Sequence, residues 1–408
     1  MIRPARHRLC ILTQFWPPEM GAPQGRLSEL GEQLLDKGWA VETLTALPNY
    51  PTGRIFEGYD VIRPSVEWVG RIRTVRVPIW PSKGGVAKRI ASYFSFVAAA
   101  SYWGPRLGTR PDLLYVESPP LFILYAAWYL ARRWRCPYVL NVSDLWPESA
   151  VRVGVLPRRH PATRLAERLE RRGYEKAAGV TGQSIGIVEG VLARAPQTKT
   201  CIITNGVEPS RFASEKADPE ARTLLGREPG PIFVFAGLLG LAQGLDQILD
   251  VAKRLPPDLP GRFVLIGDGP VRERLAARIR DERIGRVRLI PPQPRDRIPA
   301  ILASADAAVV TIGMTMPGMV PAKTYEAMAA ALPIIMVGDG EPVDRVLGAG
   351  CGIGVAPGDL EGLEQAVTRI IRDPELRRKL GRNGRDAAET TYSRAKIAIV
   401  LSEFLQAV

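Results

Sequence analysis

Histidine is nearly missing. The 408 residues contain two, His7 and His160, each beside arginine in a polar stretch. Both read as solvated surface side chains, so a histidine base or a multi-histidine metal centre has little support. Cysteine is scarce as well: Cys10, Cys136, Cys201 and Cys351 are scattered without paired spacing. That argues against a disulfide framework and a cysteine-based zinc site, and points to a reducing compartment. No G-x-G-x-x-G fingerprint follows the first apolar run, which counts against a dinucleotide-binding dehydrogenase. The longest apolar stretches, 90–103 and 121–130, fall short of the roughly 20 residues that span a bilayer. The opening MIRPARHRLCILTQFWPP has too short an apolar run for a signal segment and stops in Pro-Pro, so it reads as a first buried strand. Short repeats and low-complexity tracts are missing too.

Negative charge is short in the first half only. Residues 1–206 hold 28 Lys and Arg against 16 Asp and Glu, whereas residues 207–408 hold 27 against 26. Nearly all of the net +13 therefore lies in the first half. Such asymmetry suggests an anionic partner, whether nucleic acid, anionic lipid or a phosphorylated substrate; a well-solvated surface is the ordinary alternative. Nucleic acid ranks last of these, because no recognition motif is found and the basic residues spread over many elements.

What is present is an alternation of short β-branched runs with helical patterns, the signature of parallel α/β units. With 46% hydrophobic residues the chain can build more than one core. Strands are expected at 9–13, 41–46, 74–77, 113–116, 138–142, 179–181 and 200–203, then at 232–235, 263–266, 287–290, 307–310, 334–337 and 352–355. Between the two series, ITNGVEPSRFASEKADPEARTLLGREPGP is rich in Pro, Gly and charge. The expected organisation is a first domain over 1–206, a linker over 207–230 and a second domain over 231–390. A C-terminal helix, 391–408, is expected to pack back on the first domain. The fold class is α/β, with two Rossmann-like, doubly wound parallel sheets facing a cleft.

Ligands of open parallel sheets bind beyond the carboxyl ends of the strands, so the loops there are where chemistry is sought. TQFWPPEMGAPQGRLSEL leads from the first strand into a helix, and Gly21, Gly25 and Arg26 are its candidates for holding an anion. A plain strand-to-helix turn explains this loop about as well. FAGLLGLAQGLDQIL offers Gly237, Gly240 and Gly244, which let backbone approach a phosphate, and Gln243 as a further donor. IGDGPVRERL places Asp268 and Gly269 in a turn and Pro270 at a first helical position, although a structural turn accounts for it locally. In VPAKTYEAMAAALPIIMVGDGE, Lys323 falls in the first turn of a helix, where the dipole disfavours a cation unless an anion compensates. Glu326 lies one turn on, so both side chains can face one spot: a lysine for phosphate and a carboxylate for ribose hydroxyls. A surface Lys–Glu pair is the bland alternative. The Gly-Asp-Gly-Glu turn ending in Glu341 adds a second phosphate-compatible corner.

With these loops in view, the chain resembles the family 4 retaining glycosyltransferases of the GT-B fold. ITNGVEPSRF is similar to that family's P-N-G-V-D…F hinge, IGDGPVRERL to its G-D-G-P…L turn, and KTYEAMAAALPII to its E-A-M-A-x-G-x-P-V-I block. FWPPEMGAP, DLWPESA, LLGLAQGL and VPAKTYEAMA look like the bacterial polysaccharide branch that includes UDP-N-acetyl-L-fucosamine transferases. The resemblance implies a nucleotide-diphosphate sugar held mainly by the second domain and an acceptor held by the first. It implies that Glu326 binds the donor ribose and that Lys323 lies near the diphosphate. Departures are specific. The earlier glutamate of the family's E-x7-E falls at Gly318, its loop Arg and Lys become Leu238 or Leu239 and Gln243, and its first-domain histidine is absent.

Without an obvious nucleophile, such an enzyme works by positioning and electrostatics, with no metal or other cofactor expected beyond the nucleotide-sugar co-substrate. Asp144 and Glu148, in the loop after 138–142, are the candidates for orienting the acceptor, with an N-cap role for Asp144 as the alternative. The segment 82–110 mixes Trp, Tyr and Phe with Lys and Arg, which suits a helix lying on an anionic bilayer, or one merely covering its sheet. Together these imply a polyprenyl-pyrophosphate-linked acceptor and a cytoplasmic enzyme held at the inner face of the plasma membrane. A UDP-sugar 2-epimerase-like activity is the rival enzymatic reading.

Overall fold

The computed structural model describes residues 7–19, 21–82, 84–212, 218–226, 228–313 and 318–408, the side chain of Ala22 excepted. Lys83 of the segment 82–110, and residues 213–217 and Arg227 of the expected linker, lie outside the described residues. By internal contacts the chain divides into two units, Met1–Thr204 with Arg394–Val408, and Asn205–Ser393.

Among the described residues the first unit holds eight strands: β1 (His7–Leu12), β2 (Trp39–Ala46), β3 (Ser65–Val69), β4 (Ile72–Val77), β5 (Leu113–Ser118), β6 (Tyr138–Val142), β7 (Gly179–Gly182) and β8 (Thr200–Ile202). Their order is β3-β4-β2-β1-β5-β6-β7-β8, so the sheet winds outward in both directions from β1. Every pairing is parallel except β3 with β4. All six residues of β5 and all five of β6 are buried, as expected where helices cover both faces.

β3 is not among the expected strands. Its sequence SVEWV alternates in burial, Trp68 is 69% exposed, and it turns back through Gly70 at φ 59° to pair antiparallel with β4. A half-wet edge strand lacks the continuous apolar run that marks the buried parallel ones.

The second unit holds β9 (Ile232–Ala236), β10 (Arg262–Ile266), β11 (Val287–Ile290), β12 (Ala307–Thr311), β13 (Ile334–Val337) and β14 (Gly352–Val355). The order β11-β10-β9-β12-β13-β14 is wholly parallel and reverses direction between β9 and β12. The stretch read as a linker is part of this unit. It carries a 3-10 turn, Pro209–Phe212, and a helix, Pro219–Leu225, whose first turn is capped by the Asp218 carboxylate. Phe212, Ala221 and Leu225 are buried in one core with Ile232 and Val264. Pro, Gly and charge here mark turns and caps rather than a bare connection.

The helix Arg394–Gln406 belongs to the first unit. Ile397, Leu401 and Leu405 share a core with Leu27, Leu30 and Leu34 of the helix Ala22–Asp36. Trp39 Nε1 donates to Ser402 Oγ at 2.9 Å, and Arg394 pairs with Glu29 at 3.0 Å.

Candidate active site

At the carboxyl edge of the second sheet, the loops after β9, β10 and β12 are tied together by backbone. Gly237 N donates to Ile266 O (2.9 Å), Leu239 N to Asp268 O (2.9 Å) and Gly313 N to Ala242 O (2.7 Å). A Cβ at Gly267 would stand 1.9 Å from Gly237 O, and one at Gly269 2.3 Å from Leu239 O; both glycines also have positive φ. Gly267 and Gly269 are therefore dictated by the close approach of two loops. Asp268 is exposed and accepts a hydrogen bond from Gly269 N. Gly240 is covered by Gln243, whose Oε1 is buried without a hydrogen-bond donor.

Lys323 lies against this cradle. It opens the helix Ala322–Ala329, and its Nζ stands 3.6 Å from the centroid of the Phe235 ring. A Cβ on Gly237 would come within 3.1 Å of Nζ, so the ammonium sits beside the first glycine of the loop. Burial pushes its pKa from 10.5 down to about 7, against the pull of the Glu326 charge. A cation held over an aromatic face is attracted by the ring quadrupole, but the ring replaces little of the lost hydration. Sequence reasoning missed Phe235, whose signal would have been an aromatic closing the strand ahead of the glycine loop.

Glu326 is partly buried one turn further along the same helix. The loop before that helix is held by Asn205, whose Nδ2 donates to Val320 O at 3.2 Å. This gives the buried asparagine of the I-T-N-G-V stretch a positioning role. Glu341, expected to meet the donor, is instead drawn to Arg345, a turn later on the helix Glu341–Gly348. Arg345 in turn donates to Tyr325 OH at 2.7 Å and lies over the Tyr325 and Tyr392 rings. Glu341 thus locks two helices together, which corrects its assignment to the donor.

In the first unit the sequence-derived assignments change more. Gly21 is the N-cap of the helix Ala22–Asp36, with extended backbone. Arg26 was expected to hold an anion, yet it is 2% exposed. Its Nη2 donates to both Glu117 oxygens, at 2.8 and 2.9 Å, and to Ser143 Oγ at 2.9 Å. Glu117 neutralises it, so Arg26 is a structural cation. The pair anchors a polar row across the sheet: Asn141 and Ser143 donate to Glu117, and Tyr115 and Thr181 hydroxyls donate to Asn141 Oδ1.

Glu148 likewise fails as an acceptor-orienting group. Its two oxygens accept from Arg152 (2.8 Å) and Arg194 (2.6 Å), and Arg194 also pairs with the buried Glu170 at 3.0 Å. Burial works against its charge, yet the two guanidiniums hold its carboxyl below the usual range. Asp144 remains partly buried at the carboxyl edge of β6. Burial raises its pKa, opposed by hydrogen bonds from Ser149 and the Leu145 N–H. The N-cap of the following short helix is Pro147, so Asp144 does not cap it. The FWPPE loop is fixed by Glu19, 3% exposed, which accepts from the N–H groups of Trp16, Asn49 and Tyr50. Among the described residues, no group of three or more His, Cys, Asp and Glu is placed to hold a metal.

Comparison with known proteins covers both units. Residues 21–206 match the family "Glycosyl transferase 4-like domain", and residues 218–387 match "Glycosyl transferases group 1". The chain is 26% identical over 306 residues to the "Putative colanic acid biosynthesis glycosyl transferase WcaI" of Escherichia coli (strain K12), covering 72% of this chain and 74% of that one. Sucrose-phosphate synthase from Thermosynechococcus elongatus is similar with a TM-score of 0.77 at 20% identity, over 98% of this chain and 99% of that one. Anabaena Alr3699/HepE, solved in complex with UDP and glucose, gives 0.71 at 19% identity, over 99% and 100%. Likeness at that identity speaks for the fold. With a glycosyltransferase domain family matched in each unit, the chain belongs to the glycosyltransferases of the GT-B fold.

Proposed function

We propose that this transferase moves a sugar, with retention at the anomeric carbon, from a UDP-N-acetyl sugar to a lipid-linked or oligosaccharide acceptor in cell-surface polysaccharide synthesis. The carrying observation is Lys323: a desolvated ammonium against the Gly237 backbone, at the edge where parallel sheets take ligands. In this reading the bond between the anomeric carbon and the β-phosphate oxygen breaks, and the electron pair passes to that oxygen. Lys323 stabilises the charge as it forms. The acceptor oxygen attacks from the same face and its proton passes to the departing phosphate. The HepE complex with UDP supports a uridine-diphosphate donor, and the colanic acid relative supports the pathway class.

Glu326 is assigned to the ribose hydroxyls. Glu326→Ala is expected to raise the donor KM by about tenfold or more, as the loss of a charged hydrogen-bond acceptor costs roughly 1.5–3 kcal/mol. A normal donor KM in steady-state assays would remove the assignment. Metal-independent turnover is part of the proposal, so activity should survive dialysis against EDTA unchanged. A loss restored by magnesium would contradict it.

The acceptor side is assigned to the first unit, with docking on an anionic bilayer. The helix Val86–Leu107 buries Ser92, Phe96, Ala100 and Gly104 against its unit, while Ile90, Phe94 and Tyr102 stay exposed. Tyr125 and Tyr129 of the neighbouring helix Ile123–Trp134 are exposed as well, and Phe94 lies 6.1 Å from Tyr125, ring to ring. Aromatics and arginines together suit the membrane–water interface. No helix among the described residues is long and apolar enough to cross a membrane.

A further inference from the structure

The first unit carries a second basic feature, on the opposite edge of its sheet. The helices Val86–Leu107 and Ile123–Trp134 end side by side, ahead of β5 and β6, and enclose a groove of about 570 Å³. Its walls include Arg110, Arg132, Arg133 and Arg135, with Tyr129 and Trp134 between them. This is the amino edge of the sheet, away from the loops where Asp144 and the Arg26–Glu117 pair lie.

None of these four arginines is paired with a carboxylate among the described residues, whereas Arg71, Arg73, Arg76 and Arg194 of the same unit are. Part of the concentration has an ordinary cause, since Arg132 and Arg133 sit in the last turn of a helix, where the dipole favours cations. The same field reaches Arg135, the C-cap of that helix, and weakens by Arg110, two residues past the C-cap Gly108 of the other, so it favours cations here without requiring that four line one groove. Arg135 occupies the left-handed C-cap position, φ 54° and ψ 49°, where glycine would be unstrained. Four guanidiniums around one groove match the oxygens of a phosphate, each able to give two parallel hydrogen bonds. The exposed Tyr125 and Tyr129 run along the same helix up to the groove, so a ligand there would meet an aromatic stripe continuous with it.

We propose that this groove binds the phosphodiester of an anionic phospholipid headgroup, at a site separate from the transfer site. It deepens the membrane-docking reading but does not depend on glycosyl transfer. Free phosphate shares the chemistry, and the test separates the two sources.

The full chain is floated with vesicles of phosphatidylglycerol and phosphatidylethanolamine, and with phosphatidylcholine alone, at fixed low salt. The variants are Arg132→Ser/Arg135→Ser in the groove and Arg164→Ser/Arg168→Ser on the exposed face of the helix Pro161–Lys176, which removes the same charge. Binding to the anionic vesicles should fall at least about tenfold for the groove pair and no more than about twofold for the control. Melting temperature and transfer to a water-soluble acceptor should stay unchanged in both. Equal losses, or none, would leave only diffuse attraction and overturn the groove while sparing docking. If wild type binds no vesicle, docking and groove fall together, and the transferase reading is untouched. If inorganic phosphate or glycerol phosphate protects the groove arginines from phenylglyoxal yet no vesicle binds, the lipid assignment is overturned in favour of a free phosphate.

Discussion

Lys323→Met should lower kcat for nucleotide-sugar turnover by about 10²–10³-fold, the range seen when one preorganised donor to a developing oxyanion is removed. The same substitution should raise the melting temperature of the ligand-free chain, because the wild-type protein confines an ammonium where hydration is poor. A purely structural lysine would give the reverse, with lower stability and activity falling only with it. The pH dependence gives an independent reading. The folded pKa of about 7 lies below the unfolded 10.5, so the full penalty of confinement is present below pH 7. Stability then rises as pH increases from about 7 towards 10.5, where the unfolded chain keeps a proton that the folded chain has lost. A bound diphosphate favours the charged form and restores that proton. Titration calorimetry with UDP at pH 8, in buffers of different ionisation heat, should therefore report uptake of close to one proton. Lys323→Met should show no such uptake, and wild-type uptake near zero would disconnect the lysine from the diphosphate.

Glu117→Ala carries the largest expected cost in stability. It strands the Arg26 guanidinium, 2% exposed, at the carboxyl edge of the first sheet, and removes the acceptor shared by Asn141 and Ser143. Breaking a buried pair from one side costs about 3–5 kcal/mol, or roughly 10 °C in the melting temperature of a unit this size. Arg26→Met/Glu117→Leu should recover only part of that loss, since Asn141 Nδ2 and Ser143 Oγ still lack their acceptor. Full recovery in thermal melts would mean that the polar row contributes nothing beyond the ion pair. Ser143 Oγ loses the carboxylate that holds it, so the loop bearing Asp144 should loosen with the same substitution, restrained by the backbone bond from Ser143 N to Ser118 O.

The contrast between these two residues shows what the sequence could reveal. The place of Lys323 beside the glycine loop was legible because the conflict is local: a cation in the first turn of a helix, with a carboxylate one turn on. Arg26 looked equally local, after a glycine loop at a helix start, yet its partner is 91 residues away and nothing nearby announces it. Glu148 misled for the same reason, with Arg194 46 residues off. The parallel strands were readable because burial on both faces leaves continuous apolar runs, whereas β3 exposes one face and was lost among loops. Gly267 and Gly269 are explained by local geometry, since another backbone lies where a side chain would go and both have positive φ.

The path of the chain sets an order of assembly during synthesis. Asn205–Ser393 is one uninterrupted segment and can close as soon as it leaves the ribosome. The preceding unit cannot complete its core so early, although its strands emerge first, because Leu401 and Leu405 pack with Leu27 and Leu30. The first-made unit therefore waits with an apolar helix face uncovered until the helix Arg394–Gln406 has been joined, and it is the unit that a chaperone would have reason to hold.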